Sequence, residues 1–301
     1  MLAIIAPGQG AQTPGMLTPW LEDGESAKLI TRWSEVIGKD LTALGTTADA
    51  DEIRDTANAQ PLIVATGLIA ANLLGVSAPI ISGHSVGEIT AASIANVISE
   101  FDAMRFVNDR ADAMAKAASL EKTGMSAVLG GEREEVLDAI MKLGLVAAND
   151  NGAGQIVAAG LISELSLFAD NPPAGARIRP LAVAGAFHTR YMASAQEALA
   201  KSAATISPSD PSGSVISNRD GFAVVDGEEV LERIISQVAS PVRWDLCMKS
   251  LQELGVTGVI ELAPAGTLVG LLKRAAPEIE TFAFKTPADL AAAKEFAEKH
   301  K

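Results

Sequence analysis

Cysteine, histidine, basic side chains and long apolar runs are all scarce in this chain. A single cysteine, Cys247, among 301 residues excludes an internal disulfide framework and any multi-cysteine metal site. It is the usage of a cytosolic protein, and the residue reads as a small core side chain. Lysine and arginine number 24 against 37 acidic residues, for a formal charge of −13. That sign works against general nucleic-acid binding, which needs a basic field to displace counterions from phosphate. It also means that an anionic ligand must be met by local arginine or lysine, because the mean field repels it. The longest greasy segment, Pro61 to Val76, contains Thr66 and Asn72 and falls short of the roughly 20 residues a membrane span needs; it reads as a buried helix. Met1 to Ala6 lacks the basic start and cleavage region of a secretory signal and reads as a first strand. The expectation is a cytoplasmic protein with no membrane and no nucleic-acid partner.

What is present is a large apolar fraction, 48% of the chain, enough for a sizeable core in one or two domains. Strand-like runs alternate with helical spacings. Strands are predicted at Leu2 to Ala6, Pro79 to Ser82, Ser214 to Ser217, Thr257 to Leu262 and Thr281 to Lys285. Helices are predicted at Glu25 to Ile37, Gln60 to Leu74, Asp102 to Ala118, Gly227 to Val238, Val242 to Leu254 and Gly266 to Arg274, with a last one from Pro287 onward. Such alternation implies an α/β fold with a largely parallel sheet covered on both faces. Between Met125 and Val183 the order changes to strand Ser126 to Leu129, helix Glu132 to Leu143, strands Leu145 to Ala148 and Gln155 to Ala159, helix Ile162 to Ala169 and strand Ile178 to Val183. That βαββαβ order matches the ferredoxin-like motif and reads as an inserted subdomain.

The chain is organised around Gly83-His84-Ser85-Val86-Gly87-Glu88, which has a strand before it and helical spacing after it, from Val86 to Val97. It reads as a nucleophile elbow, a sharp strand-to-helix turn that lifts a serine hydroxyl above the sheet. Its glycines are required where side chains would clash with the tight backbone. The turn also leaves the Val86 N–H at a helix start, where amides lack partners, as half of an oxyanion hole. Serine needs an adjacent base, most often histidine, and the chain has three. His84 diverges from the serine and is expected to pack or hydrogen-bond beneath the turn. His300 lies in a charged tail and is expected to be disordered. His188, in Gly185-Ala186-Phe187-His188, is left by elimination. About a hundred residues follow it, so the chain order of ordinary α/β-hydrolases, with histidine near the C-terminus, does not apply.

Two features stay open on the residues alone. Pro7-Gly8-Gln9-Gly10-Ala11-Gln12 is either a plain tight turn or a functional loop at a strand's carboxyl end; Thr13 weakens a dinucleotide reading of its glycines. Arg110 lies on the margin of an apolar helical stripe formed by Met104, Val107, Ala111, Met114 and Ala118. A half-buried guanidinium needs a carboxylate, from the protein or from a substrate.

Taken together, these stretches, with Asn149-Asp150-Asn151-Gly152-Ala153-Gly154-Gln155 and Gln237 followed by Pro241-Val242-Arg243-Trp244, resemble the malonyl-CoA:acyl-carrier-protein transacylases of fatty-acid and polyketide synthesis over nearly the whole chain. The resemblance implies an α/β-hydrolase-like core, residues 1–120 and 188–301, carrying a ferredoxin-like lid, residues 121–187. It implies that Ser85 is malonylated from malonyl-CoA and that His188 is general base and then acid. Backbone amides of Gln9 and Val86 would bind the oxyanion, and the Gln237 main-chain carbonyl would orient the histidine in place of a triad carboxylate. Arg110 would hold the free malonyl carboxylate, Phe187 would act as a size filter against methylmalonyl, and Asn149 and Asn151 would bind substrate. The acceptor would be the phosphopantetheine thiol of an acyl carrier protein; no metal or bound cofactor is implied, and a monomer is expected. A serine thioesterase on the same elbow, a methylmalonyl-preferring transferase and a non-catalytic acyl-binding subunit are the rival readings. One departure is the short connection from Leu74 to Pro79, where the family often has more residues.

Overall fold

The computed structural model describes residues 1–301. The chain opens with β1 (Leu2–Ala6), α1 (Gly24–Ile37), α2 (Leu41–Thr46), α3 (Thr56–Leu74), β2 (Ile80–Gly83), α4 (Gly87–Ile94) and α5 (Glu100–Ala118). A second group follows: β3 (Thr123–Gly130), α6 (Arg133–Lys142), β4 (Val146–Asp150), β5 (Gln155–Leu161), α7 (Ile162–Asp170) and β6 (Ala176–Pro180). The remainder comprises α8 (Ala193–Ala203), β7 (Ser214–Ile216), β8 (Ala223–Val224), α9 (Gly227–Gln237), β9 (Val242–Arg243), α10 (Trp244–Glu253), β10 (Gly258–Glu261), α11 (Thr267–Ala275), β11 (Glu280–Ala283) and α12 (Leu290–Lys299).

Helix boundaries follow from short-range chemistry. Asp23, Asp55 and Ser99 accept the free N–H groups at the starts of α1, α3 and α5, and Gly38 and Gly75 end α1 and α3 in the left-handed region. The Glu261 carboxylate caps α11, accepting the backbone N–H groups of Gly266, Leu268 and Val269 at 2.9–3.0 Å.

The protein is a mixed α/β fold with two sheets. The larger sheet has the order β11-β10-β1-β2-β7-β8, parallel throughout except for the β7–β8 pair. Along β1, Leu2 and Ile4 join one apolar cluster while Ala3 and Ile5 join another. Alternate side chains thus feed opposite faces, so every β1 residue is buried. The second sheet, in the order β6-β3-β5-β4-β9, has its own small apolar cluster, including Val128, Ile140, Ile156 and Phe168. Its first four strands pair antiparallel. The register pairs Ile5 with Ser82 and Ala6 with Gly83. β1 and β2 therefore end level, and the loop Pro7 to Gln12 emerges beside the turn at Ser85.

Four expectations need correction. α3 starts at Thr56, four residues earlier than its apolar spacing suggests, because Asp55 caps it. At 19 residues it is long and apolar enough to cross a membrane by length and composition, although 72% of its most apolar window is buried inside the protein. Val242 and Arg243 do not start a helix: they pair in parallel with Asn149 and Asp150, joining the second sheet to the rest of the chain. α4 stops at Ile94 rather than Val97, since Asn96 takes a left-handed φ of 63°. His300 is ordered and buried, its Nδ1 3.0 Å from the Thr257 hydroxyl and its ring against Phe296.

Candidate active site

The turn after β2 is tight enough to exclude side chains on both glycines. A Cβ on Gly83 would fall 2.1 Å from the Gly87 carbonyl group, and one on Gly87 would fall 2.3 Å from the Ala6 carbonyl oxygen. Between them Ser85 adopts φ 54°, a left-handed conformation that costs a non-glycine residue energy and persists only when its surroundings hold it. The holding group is Asn218, on the loop after β7: its Oδ1 accepts the Ser85 N–H at 2.8 Å and its Nδ2 donates to the Gly83 carbonyl at 2.7 Å. The N–H groups of Gln9 and Val86 donate to no protein group, and both residues line the cavity in front of the serine.

His188 reaches the serine from the segment between β6 and α8. It too has a left-handed backbone, φ 60°, and is buried. Its Nδ1 lies 2.8 Å from the Gln237 carbonyl and its Nε2 2.7 Å from Ser85 Oγ. A carbonyl only accepts, so Nδ1 carries the proton and Nε2 is left as the acceptor for the serine hydroxyl. Burial, reinforced by the Arg110 charge, pushes the imidazole down to about 3. It is therefore uncharged at neutral pH.

Arg110 arrives from α5 and is 1% exposed. No protein carboxylate pairs with it: Nη1 donates to Gln60 Oε1 at 2.5 Å, and Nη2 to Gln237 Oε1 at 2.9 Å and to Ser85 Oγ at 3.3 Å. Nε is buried without any partner, a state that costs roughly 1–3 kcal/mol if left unfilled. Burial lowers the guanidinium to about 10, with Glu88 opposing the shift, so it remains a cation at neutral pH.

The space these groups share is a cavity of about 600 Å³ between the two sheets, bordered by Gln9, Phe187 and Leu268 among others. Phe187 is buried beside His188 at its wall. Asn149 and Asn151 also line it, but the Asn151 side chain is already engaged, its Oδ1 2.9 Å from His84 Nε2. His84 otherwise packs edge-on against Trp244, with ring centroids 5.6 Å apart. All nine sequence-derived candidates (Ser85, His188, Gln237, Gln9, Val86, Arg110, Phe187, Asn149 and Asn151) thus lie at one cavity or in direct contact with its reactive groups. Three members of the constellation escaped sequence reasoning: Gln60, Asn218 and the role of Glu88. Glu88 offered a signal, a carboxylate amid the apolar residues of α4; Gln60 and Asn218 offered none, because their partners lie 50 and 133 residues away.

Such an arrangement defines a serine-centred acyl-transfer protein, and the chain belongs to the acyl transferase domain family, which matches residues 4–291. Among individual proteins it is similar to the malonyl CoA-acyl carrier protein transacylase of Mycobacterium bovis, at 50% identity over 96% of this chain and 98% of that one. It is also similar to the crystal structure of MCAT from Mycobacterium tuberculosis, with a TM-score of 0.95 at 49% identity, covering 97% of this chain and 99% of that one. A solved complex of a type II polyketide acyl-carrier protein with its malonyl-transacylase matches with a TM-score of 0.92 at 29% identity, over 98% and 99% of the two chains.

Proposed function

We propose that this protein is a malonyl-CoA:acyl-carrier-protein transacylase working through a malonyl-serine intermediate. The observation that carries the reading is the convergence of a serine hydroxyl on a neutral imidazole at 2.7 Å and on an arginine, free of any carboxylate, at 3.3 Å. Ser85 gives its proton to His188 Nε2 as Oγ attacks the thioester carbonyl of malonyl-CoA. The developing oxyanion is met by the Gln9 and Val86 N–H groups, which are preorganised and already short of partners. The carbon–sulfur bond breaks, and His188 returns the proton to the departing CoA sulfur. In the second half-reaction the phosphopantetheine thiol of a carrier protein gives its proton to Nε2, and its sulfur attacks the serine ester. The proton then passes back to Ser85 Oγ as the malonyl thioester leaves. The Gln237 carbonyl fixes the histidine tautomer throughout. A neutral carbonyl stabilises imidazolium less than a carboxylate would, which suits a base that must reload twice per cycle. No metal or resident cofactor is required by these steps.

Arg110 grips the free malonyl carboxylate; its unpaired Nε and, once it releases the long contact to Ser85 Oγ, the Nη2 beside it offer the two-pronged contact that a carboxylate matches. Phe187 narrows the cavity against a branched acyl group, and Asn149 contributes a polar wall. Residues 1–120 and 188–301 act as an α/β-hydrolase-like core, and residues 121–187 as a ferredoxin-like lid that keeps water from the ester between half-reactions. The second sheet's order, β6-β3-β5-β4, with helices crossing between strands, supports that description. The protein works as a cytoplasmic monomer whose docking patch for the acidic carrier protein is local, since its net charge is of the same sign. The test is mass spectrometry after incubation with a mixture of acyl-CoAs. A malonyl adduct on the wild type and none on Ser85→Ala is expected; labelling that persists without Ser85, or no selection among acyl groups, would refute it.

A further inference from the structure

The acyl-transfer steps leave one deeply buried ionisable group unused. Glu88, on the first turn of α4, is 2% exposed. The two cations that act on it through space, Arg110 and Arg233, are bonded elsewhere: Arg233 to Asp220 and Glu229 at 2.7 and 2.8 Å, Arg110 to the amide oxygens of Gln60 and Gln237. Its own oxygens take neutral donors, the Asn218 N–H at 2.6 Å and Gln237 Nε2 at 2.5 Å. A carboxylate buried without a counter-ion is costly, and both contacts lead directly to the reacting groups.

Consider the Gln237 side chain, which can be set in two ways. Facing Glu88 with its Nε2, it offers Oε1 to Arg110 Nη2 at 2.9 Å, while Nε2 also reaches the Ser85 carbonyl at 3.1 Å. Turned over, it would set an NH2 group against a guanidinium, which has donors only. An ionised Glu88 accepts only and so allows one setting. Asn218, the second partner, is the residue that holds the Ser85 and Gly83 backbone. We infer that Glu88 is a positioning residue for acyl transfer: through the Gln237 amide it keeps Arg110 aimed for a substrate carboxylate, and through Asn218 it keeps the nucleophile's turn in place. The inference rests on the assignment of Arg110 to the malonyl carboxylate.

A protonated Glu88 could donate as well as accept and would leave the Gln237 setting to Arg110, the Ser85 carbonyl and, at 3.2 Å, Asn218 Oδ1 alone. Burial raises Glu88 to about 7. Of the ionisable groups facing it, Arg110 on α5 and Arg233 on α9 stay cationic there, and the Cys247 thiol on α10 is pushed well above its usual range and stays neutral. The preference for malonyl over acetyl groups should therefore fall as pH drops through about 7.

The test compares acylation by malonyl-CoA and acetyl-CoA in wild type and Glu88→Gln, above and below neutrality. Glu88→Gln keeps the size and the acceptor for Asn218, but its NH2 end demands the opposite Gln237 setting. Its malonyl-to-acetyl ratio is expected about tenfold lower than wild type and independent of pH, with a raised KM for malonyl-CoA. An unchanged ratio, or an equal loss on both substrates, would overturn the inference. If the variant fails to fold, the wild type alone decides, since a malonyl-to-acetyl ratio indifferent to pH around 7 overturns it as well. A wild type with no malonyl preference would instead remove the Arg110 assignment on which it stands.

Discussion

Replacing Arg110 with alanine separates the substrate reading of this residue from a purely structural one. The guanidinium touches no protein carboxylate, and its Nε has no partner. If a malonyl carboxylate completes it, the variant loses a hydrogen bond to a charged group, worth roughly 1.5–3 kcal/mol. At about 1.4 kcal/mol per factor of ten, malonyl-CoA should lose about 10- to 100-fold of its advantage over acetyl-CoA, which has no carboxylate to lose. The substitution also strips a donor from Gln60 and Gln237 and empties a buried volume, so both substrates should react more slowly, and the Gln237 contact to His188 should loosen. That common loss cancels in the ratio of acylation rates, measured by stopped-flow with each CoA ester on the same preparation. Arg110→Lys keeps the charge without the planar fork and should recover only part of the ratio. A ratio unchanged in Arg110→Ala would refute the reasoning, and the arginine would then serve to hold Gln60 and Gln237 together.

Three further outcomes are expected. Because burial and Arg110 depress His188 to about 3, its imidazole remains a base well below 6.5, and labelling of Ser85 by a neutral fluorophosphonate should stay flat between pH 8 and about 5; a midpoint near 6.5 would contradict this. The same shift makes the folded chain hold fewer protons than the unfolded one between 6.5 and about 3, so His188 should cost stability as pH falls through that window, visible in denaturant titrations as an unfolding free energy that falls more steeply with pH than in a His188→Gln variant treated identically. Gly87→Ala drives a Cβ to 2.3 Å from the Ala6 carbonyl oxygen. Backbone must move to admit it, at a cost of about 1–3 kcal/mol, so melting should drop and serine labelling should vanish even while the protein is folded; normal labelling would show that the turn tolerates a side chain.

Much of this was legible in the sequence, and the reasons differ from residue to residue. The elbow could be read because strand, glycine, serine, glycine and helix are adjacent in the chain, so local sterics alone specify them. His188 could be reached because only three histidines exist, although one of the two discarded, His300, turned out buried against Thr257 and Phe296. Its neighbours are ordered by the last helix, which a view of the tail as merely charged could not anticipate. The parallel strands and the βαββαβ order emerged from hydrophobic periodicity. Val242 and Arg243 did not, since two residues pairing with Asn149 and Asp150 leave no periodic trace. The polar lattice under the nucleophile was the least visible part. Asn218, Gln60 and Glu88 acquire their meaning from contacts that close only when β7, α3 and α4 pack together.

The most direct test of the account is the fate of the acylated serine. Wild-type protein is loaded with malonyl-CoA, freed of excess donor and divided between buffer and a phosphopantetheinylated carrier protein, and the mass of each chain is followed with time. The account predicts a malonyl group on Ser85 that persists in buffer and moves intact to the carrier thiol. Loss of the group to water at the same rate in both samples would contradict it, and would make the protein a hydrolase.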